Sequence, residues 1–191
     1  MTPAAGRTAM LRADGFRHVS VVQGERGVSA DPQVLFATVL GSCVAACLYD
    51  PDAKVGGINH FLLAEPQPGQ VVDATAAQRY GVHAMELLIN DMLRQGARRD
   101  RLRAHLYGGA NLHQGMRPIG TANAEFAVRF LQQDRIPLIV RDLGGHAARR
   151  VEFQAALGRS RAKIVRDAPP EAPVRPRPVF QPAASGDVEL F

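Results

Sequence analysis

The run from Val34 to Leu63 limits the fold most: its apolar stretches are interrupted only by Gly41-Ser42 and by Asp50-Pro51-Asp52. Val34 to Leu40 reads as a buried strand, which the glycine and serine end. Cys43 to Tyr49 is seven mostly apolar residues, too few for periodicity to separate a strand from a short helix. In either conformation positions four apart share a face, so Cys47 points the same way as Cys43. Asp50-Pro51-Asp52 forms a turn, and Val55 to Leu63 is a further strand carrying His60. Gly56-Gly57 inside that strand marks a close backbone approach or a bulge.

The same run concentrates chemistry. Between Ala37 and His60 stand a hydroxyl (Thr38), a small turn (Gly41-Ser42), a thiol (Cys43) and an imidazole (His60), the parts of a cysteine nucleophile site. A free thiol, with a pKa near ~8.5, is only slightly ionised at neutral pH and needs a base or cation beside it. His60 is the candidate base. A cysteine following Gly-Ser sits on a tight turn, where the Ser42 and Cys43 amides can face an oxyanion. Thr38 would orient the imidazole, a weaker partner than a carboxylate. Asn59, beside His60 on a strand, should point to the opposite sheet face and is a poor orienter. On residue types alone, one Cys, one His and one Thr in an apolar segment also fit plain core packing. Cys47 reads as core beneath the nucleophile, with a resolving thiol or metal ligand as the alternative. Two thiols and one histidine do not complete a tetrahedral zinc set at familiar spacing, so no metal is expected.

Elsewhere the pattern alternates between strands and helices. Arg17 to Gly24 contains a β-prone valine cluster and is the first expected strand, with His18 on its surface. Thr75 and Gln78 form a capping-box pair opening a helix to about Arg94, stopped by Gly96. Val82, Met85, Ile89 and Met92 make its buried stripe, flanked by Leu88, and His83 lies off it. Ala104 to Tyr107 is a strand running into Gly108-Gly109-Ala110-Asn111, a tight turn that lacks the phosphate-binding fingerprints. His105 and His113 read as structural or surface residues. Asn123 is the expected cap of a second helix to about Gln133, with Phe126 and Phe130 on one face. Ile136 to Asp142 is a strand, Gly144-Gly145-His146 a turn, and Arg150 to Leu157 with Ser160 to Val165 a closing hairpin around Gly158.

A chain of 191 residues, 46% hydrophobic and 21% charged, suits one domain with its own core. Residues 1–15 read as a flexible leader, 16–166 as the domain, and 167–191 as a proline-rich disordered tail. Val188, Leu190 and Phe191 at its end are candidate apolar anchors for a partner. No apolar run reaches the length of a membrane span, so no insertion is expected; two free thiols in an apolar stretch fit the reducing cytoplasm. The net charge of +5 comes from arginines scattered along the chain, without a nucleic-acid motif or aromatic platform. The densest group, Arg94, Arg98, Arg99, Arg101 and Arg103, is a solvated helix end or a docking patch for an acidic partner.

Several ordered motifs carry a resemblance to a known family. LGSCVAACLYD, with His60 seventeen residues after Cys43 in VGGINHFLL, resembles the CheD family of chemoreceptor glutamine deamidases. The similarity continues through AMELLIN, LYGGAN, IGTAN and RDLGGHAARRVEF, covering about residues 34–165. The resemblance implies an α/β single domain with mixed sheet layers flanked by helices. It implies hydrolysis of glutamine side chains in methyl-accepting chemotaxis receptors to glutamate and ammonia, without a cofactor. Cys43, His60 and Thr38 would be catalytic, while Gly41, Ser42, Gly108 and Gly109 would form the oxyanion site or wall the substrate groove. A receptor adaptor, or a partner of a CheC-type phosphatase, is the alternative. The chain departs from the family twice. Some members carry the threonine six residues before the cysteine, whereas Thr38 is five before it and Ala37 fills the other position; such a shift turns a strand side chain to the opposite face. The later turn has Ala148 where a glycine usually precedes the arginine.

Overall fold

The computed structural model describes residues 10–11, 14–63, 74–112 and 118–165, with side chains over 14–63, 79–112 and 118–165. Most of the expected leader, the Thr75–Gln78 capping pair, His113 and the tail with its terminal anchors lie outside the described side chains.

Ten strands and two α-helices follow in the order β1 (Met10–Leu11), β2 (Arg17–Ser20), β3 (Arg26–Ser29), β4 (Val34–Leu40), β5 (Val44–Asp50), β6 (Val55–Phe61), α1 (Ala74–Arg94), β7 (Arg103–Gly108), α2 (Ile119–Gln133), β8 (Leu138–Leu143), β9 (Ala148–Gln154) and β10 (Arg159–Val165). They form two five-stranded mixed sheets, ordered β1-β2-β4-β9-β10 and β3-β6-β5-β7-β8. The pairs β2/β4 and β7/β8 are parallel and the others antiparallel.

Strand β5 explains the layering. Val44, Ala46 and Leu48 join a core with Met85, Leu88, Ile89 and Met92 of α1 and Phe126, Ala127, Phe130 and Leu131 of α2. On the other face, Cys43, Ala45 and Cys47 join Phe36, Leu40, Val151 and Phe153 of the first sheet. The second sheet is therefore the middle layer of a sheet, sheet, helix sandwich. Buried on both faces, β5 has no polar alternation, so periodicity does not distinguish strand from helix there. Its strand conformation settles that choice.

Strand β6 alternates the same way. Gly57, whose Cβ position lies 2.7 Å from Leu88 Cδ1, and Asn59, bonded to the Ala84 carbonyl, face α1. Ile58 packs in the core between the sheets. Gly56 is a close approach: a Cβ there would stand 2.2 Å from the Ala155 carbonyl oxygen. Antiparallel β3 lies at the edge beside β6, a strand that sequence periodicity does not reveal.

Two helix expectations need correction. Val82 is exposed, whereas Leu88, expected only to flank, is fully buried; the stripe on α1 runs through Met85, Leu88, Ile89 and Met92. Asn123 does not cap α2, which starts four residues earlier at Ile119; it is buried in the second turn with other partners.

Candidate functional site

Inward positions of β4 are Val34, Phe36, Thr38 and Leu40, all buried, while Val39 faces out. Thr38 therefore points into the layer between the sheets, and Ala37 does not. Across that layer, Thr38 Oγ1 and His60 Nδ1 are 2.9 Å apart. Thr38 Oγ1 also donates to the Val21 carbonyl at 2.7 Å. A hydroxyl has one proton, and a carbonyl only accepts, so Oγ1 must accept from Nδ1–H. The imidazole is thereby fixed in the Nδ1–H tautomer with its Nε2 lone pair available for base chemistry. His60 is 6% exposed and Thr38 5%.

Cys43 lies just before β5, in whose register Ala45 stands opposite His60. Cys43 shares the inter-sheet face with Ala45, which makes it a diagonal neighbour of the imidazole, within reach of side chains on paired strands. It is fully buried, and Sγ–H donates to Gln23 Oε1 at 3.5 Å. Cys47 lies deeper in the same layer, where burial pushes its thiol well up, so it is a protonated core residue.

The loop before β5 is held by its carbonyls. Gly41 O accepts from Ala110 N–H at 2.9 Å, Ser42 O from Asn123 Nδ2 at 2.9 Å, and Cys43 O from Gly109 N–H at 2.7 Å. The Gly109 amide is thus engaged in clamping the loop that carries Cys43. Gly108, at φ +107°, lets the chain pass so close that a Cβ would lie 2.1 Å from Cys43 O. Neither these glycines nor Cys43 line the two clefts described at His60. Asn123 also accepts the Leu63 amide at 2.8 Å, joining the exit of β6 to the loop that carries Cys43. This positioning role is not visible in sequence, where Asn near a helix start signals a cap.

Among the described residues, two clefts open onto His60. One of about 330 Å³ is lined by Ser20, Val21, Thr38, Val39 and Arg150; the other, about 540 Å³, by Glu25, Arg26, Tyr80, His83 and Leu87. Val22, Gln23 and His60 belong to both, so Gln23 stands between them. The sequence places Val22 to Gly24 in the first strand, but β2 ends at Ser20 and these residues turn back at Glu25. The turn is fixed by long-range bonds: Gly24 N–H donates to His60 O at 2.7 Å, and His60 N–H to Glu25 O at 2.9 Å.

The other expectations resolve simply. His105 is buried between the sheets, 2.6 Å from Ser160 Oγ, and burial lowers its pKa. His18, expected on the surface, is instead mostly covered and lies 2.8 Å from Asp14, while His83 is exposed as expected. Arg94 pairs with Asp91, Arg98 with Asp100, Arg99 with Glu86 and Asp134, and Arg101 with Asp50 and Asp52. Only Arg103 of that cluster lacks a described carboxylate partner, so the group is a set of structural ties more than a free cationic patch. Among the described residues, no three His, Cys, Asp or Glu side chains converge to hold a metal, and no helix is long and apolar enough to cross a membrane.

Comparison with known proteins gives a consistent set. The family model described as CheD chemotactic sensory transduction matches residues 62–164. A Zymomonas mobilis protein named probable chemoreceptor glutamine deamidase CheD is 52% identical over 187 residues, spanning 98% of this chain and 100% of its own. Proteins of the same name from Caulobacter sp. and Acidiphilium cryptum are 54% and 48% identical, over 91% and 100% of this chain and 92% and 100% of theirs. Among solved structures, Neisseria meningitidis protein NMB0706 aligns with a TM-score of 0.42 at 11% identity, over 70% of this chain and 64% of its own.

Proposed function

This chain belongs to the CheD family, and from that premise we propose that it is a chemoreceptor glutamine deamidase working through Cys43, His60 and Thr38. The observation that carries the mechanism is the Thr38–His60 bond, which fixes Nδ1–H and leaves Nε2 as the base in the layer that holds Cys43.

The reaction runs as acyl transfer. His60 Nε2 takes the Cys43 proton, and the thiolate attacks the carbon of a glutamine side-chain amide. The carbonyl π electrons move to oxygen, giving a tetrahedral oxyanion. Its donors are the Ser42 and Cys43 amides. In a trans peptide the N–H points opposite to its own carbonyl, and those two carbonyls, Gly41 O and Ser42 O, are held by Ala110 and Asn123. The two N–H groups therefore face away from that clamp, toward one side. Collapse breaks the C–N bond, and the imidazolium protonates departing ammonia. Water, deprotonated by the same Nε2, then cleaves the thioester to release glutamate and restore the thiol. No step calls for a cofactor.

The receptor side chain enters by the cleft over His60, with Arg150 at its rim. Two free thiols fit action in the reducing cytoplasm.

Incubation with a chemoreceptor cytoplasmic fragment tests the reading. Each converted glutamine adds about one dalton, since –NH₂ is replaced by –OH. Wild type should produce that gain and Cys43→Ala should not. Stable binding with no mass gain would make the chain an adaptor for receptors or a CheC-type phosphatase, and the hydrolase reading would fall.

A further inference from the structure

The residue touching the nucleophile is itself a glutamine. Gln23 sits in the turn from Val22 to Glu25, closed by Glu25 N–H donating to Val22 O at 3.0 Å, with Gly24 at φ +81°. That turn is fastened to the backbone of His60 on both sides of the peptide, as the Gly24 and Glu25 bonds show. Its side chain reaches from there to Cys43, with Oε1 3.5 Å from Sγ. The amide carbon is one bond, about 1.2 Å, from that oxygen. The chain thus holds one of its own side-chain amides against the thiol, with the oxygen toward Sγ and the carbon behind it, so that a turn of the amide about its Cγ–Cδ bond brings the carbon to the sulfur.

We propose that Gln23 is a substrate in cis, deamidated to glutamate by Cys43 of the same molecule. The inference rests on the reading of Cys43 as a deamidase nucleophile. The steps balance as they do for an external amide. Cys43 thiolate adds to Gln23 Cδ, the Cδ–Nε2 bond breaks, and nitrogen leaves as ammonia with the proton from His60. Water then adds to the thioester, sulfur leaves and regains a proton, and a glutamate side chain remains at position 23. Water is the only co-reactant.

Magnitudes favour it because a single turnover suffices. A kcat of about 1 s⁻¹ is at the low end for enzymes. An amide held in a geometry about 10⁵-fold worse than that of the true substrate would still react with a half-life of about a day. The product places a carboxylate beside His60, which leaves the site different from the one first folded.

The test reads one peptide. Trypsin cuts after Arg17 and Arg26, releasing residues 18–26, HVSVVQGER, in which Gln23 is the only side-chain amide. Wild type, Cys43→Ala and Cys43→Ser are purified, held at pH 8 for several days and mapped by mass spectrometry. In parallel, each is given the receptor fragment. The expected result is a gain of about one dalton on this peptide in wild type, growing with time and assigned to Gln23 by fragmentation, and no gain in either variant. Wild type that converts the receptor but keeps Gln23 unchanged overturns the inference alone. Equal gain in the variants also overturns it, by showing that Cys43 is not the agent. Wild type that converts neither amide overturns the functional reading and this inference with it.

Discussion

Thr38 has one proton, and its destination decides the tautomer of His60. Because Oγ1 donates to Val21 O at 2.7 Å, it can only accept from Nδ1, and the lone pair is on Nε2, the base of the proposed mechanism. Thr38→Val keeps the shape and removes the acceptor, leaving His60 Nδ1 with the more distant Val21 carbonyl at 3.4 Å. The expected result is a fall in kcat of at least about 10-fold but short of the roughly 10⁴-fold loss seen when an orienting carboxylate is removed, with KM little changed. Thr38→Ser should recover most of the rate. Turnover of the receptor fragment by Thr38→Val at the wild-type rate would remove Thr38 from the mechanism. Asn123 acts at one remove, through the loop. Asn123→Ala removes one bond to Ser42 O and one to the Leu63 N–H, both partly buried, at a cost of about 1 kcal/mol each. Thermal unfolding should shift down accordingly, and kcat should fall in the remaining folded protein because the nucleophile loop loses a tether.

At the scale of elements, two glycines with similar backbone angles separate strain from collision. Gly96, at φ +97°, ends α1 with nothing within 4 Å of a would-be Cβ, whereas Gly108, at φ +107°, would put that carbon 2.1 Å from Cys43 O. Gly96→Ala should cost about 1 kcal/mol, the strain alone. Gly108→Ala adds a backbone clash and should cost on the order of 3 kcal/mol. It should also cut receptor turnover, because the atom displaced belongs to the nucleophile; denaturant unfolding and the mass-gain assay on both variants check the pair. The same contrast explains what sequence can tell. Strand β4, the turn after β5 and the strand carrying His60 are legible because alternation and turn residues are local properties. So is the inward face shared by Cys43 and Cys47. Strand β3 is not, since Arg-Gly-Val-Ser is too short and mixed to carry a period. Asn123 looks like a cap in sequence because its partners, Ser42 and Leu63, are 81 and 60 residues away. The turn bearing Gln23 escapes for the same reason: its anchor is the backbone of His60, and no local pattern announces that. Gly108-Gly109 is recognisable as a turn near the site, but which of its amides is already engaged is a property of the folded loop.

For the whole molecule, two buried polar groups on different strands of the second sheet set the acid limit. Burial works against the charge of Asp50, yet the amides of Ala53, Arg98 and Asp52 and the Arg101 guanidinium hold its carboxyl below the usual carboxylate range. His105, between the sheets with Ser160 and Tyr107, is lowered by burial from the usual imidazole value. In both cases the folded pKa is lower, so the unfolded chain binds more protons as the pH drops, and protonation favours unfolding. The His105 contribution is complete above about pH 6.5, its unfolded value, and is lost as pH falls through the folded value; that of Asp50 is complete above about pH 3.9 and is lost below it. A domain with one continuous sandwich unfolds as a unit, so the two windows appear in a single melting temperature. Tm measured by circular dichroism should be nearly level from pH 8 to 7, decline from about pH 6.5, and steepen below about pH 4. His105→Gln removes the titrating ring, so its slope between pH 7 and 5 should be shallower than that of wild type, whatever its absolute stability. Asp50→Asn should lose on the order of 1–2 kcal/mol at neutral pH, because the contact to the part-exposed Arg101 loses its charge while Asp52 still pairs with that guanidinium, and should show less of the final descent. A His105→Gln profile parallel to wild type across pH 7 to 5 would mean that the ring between the sheets is not what makes this fold sensitive to mild acid.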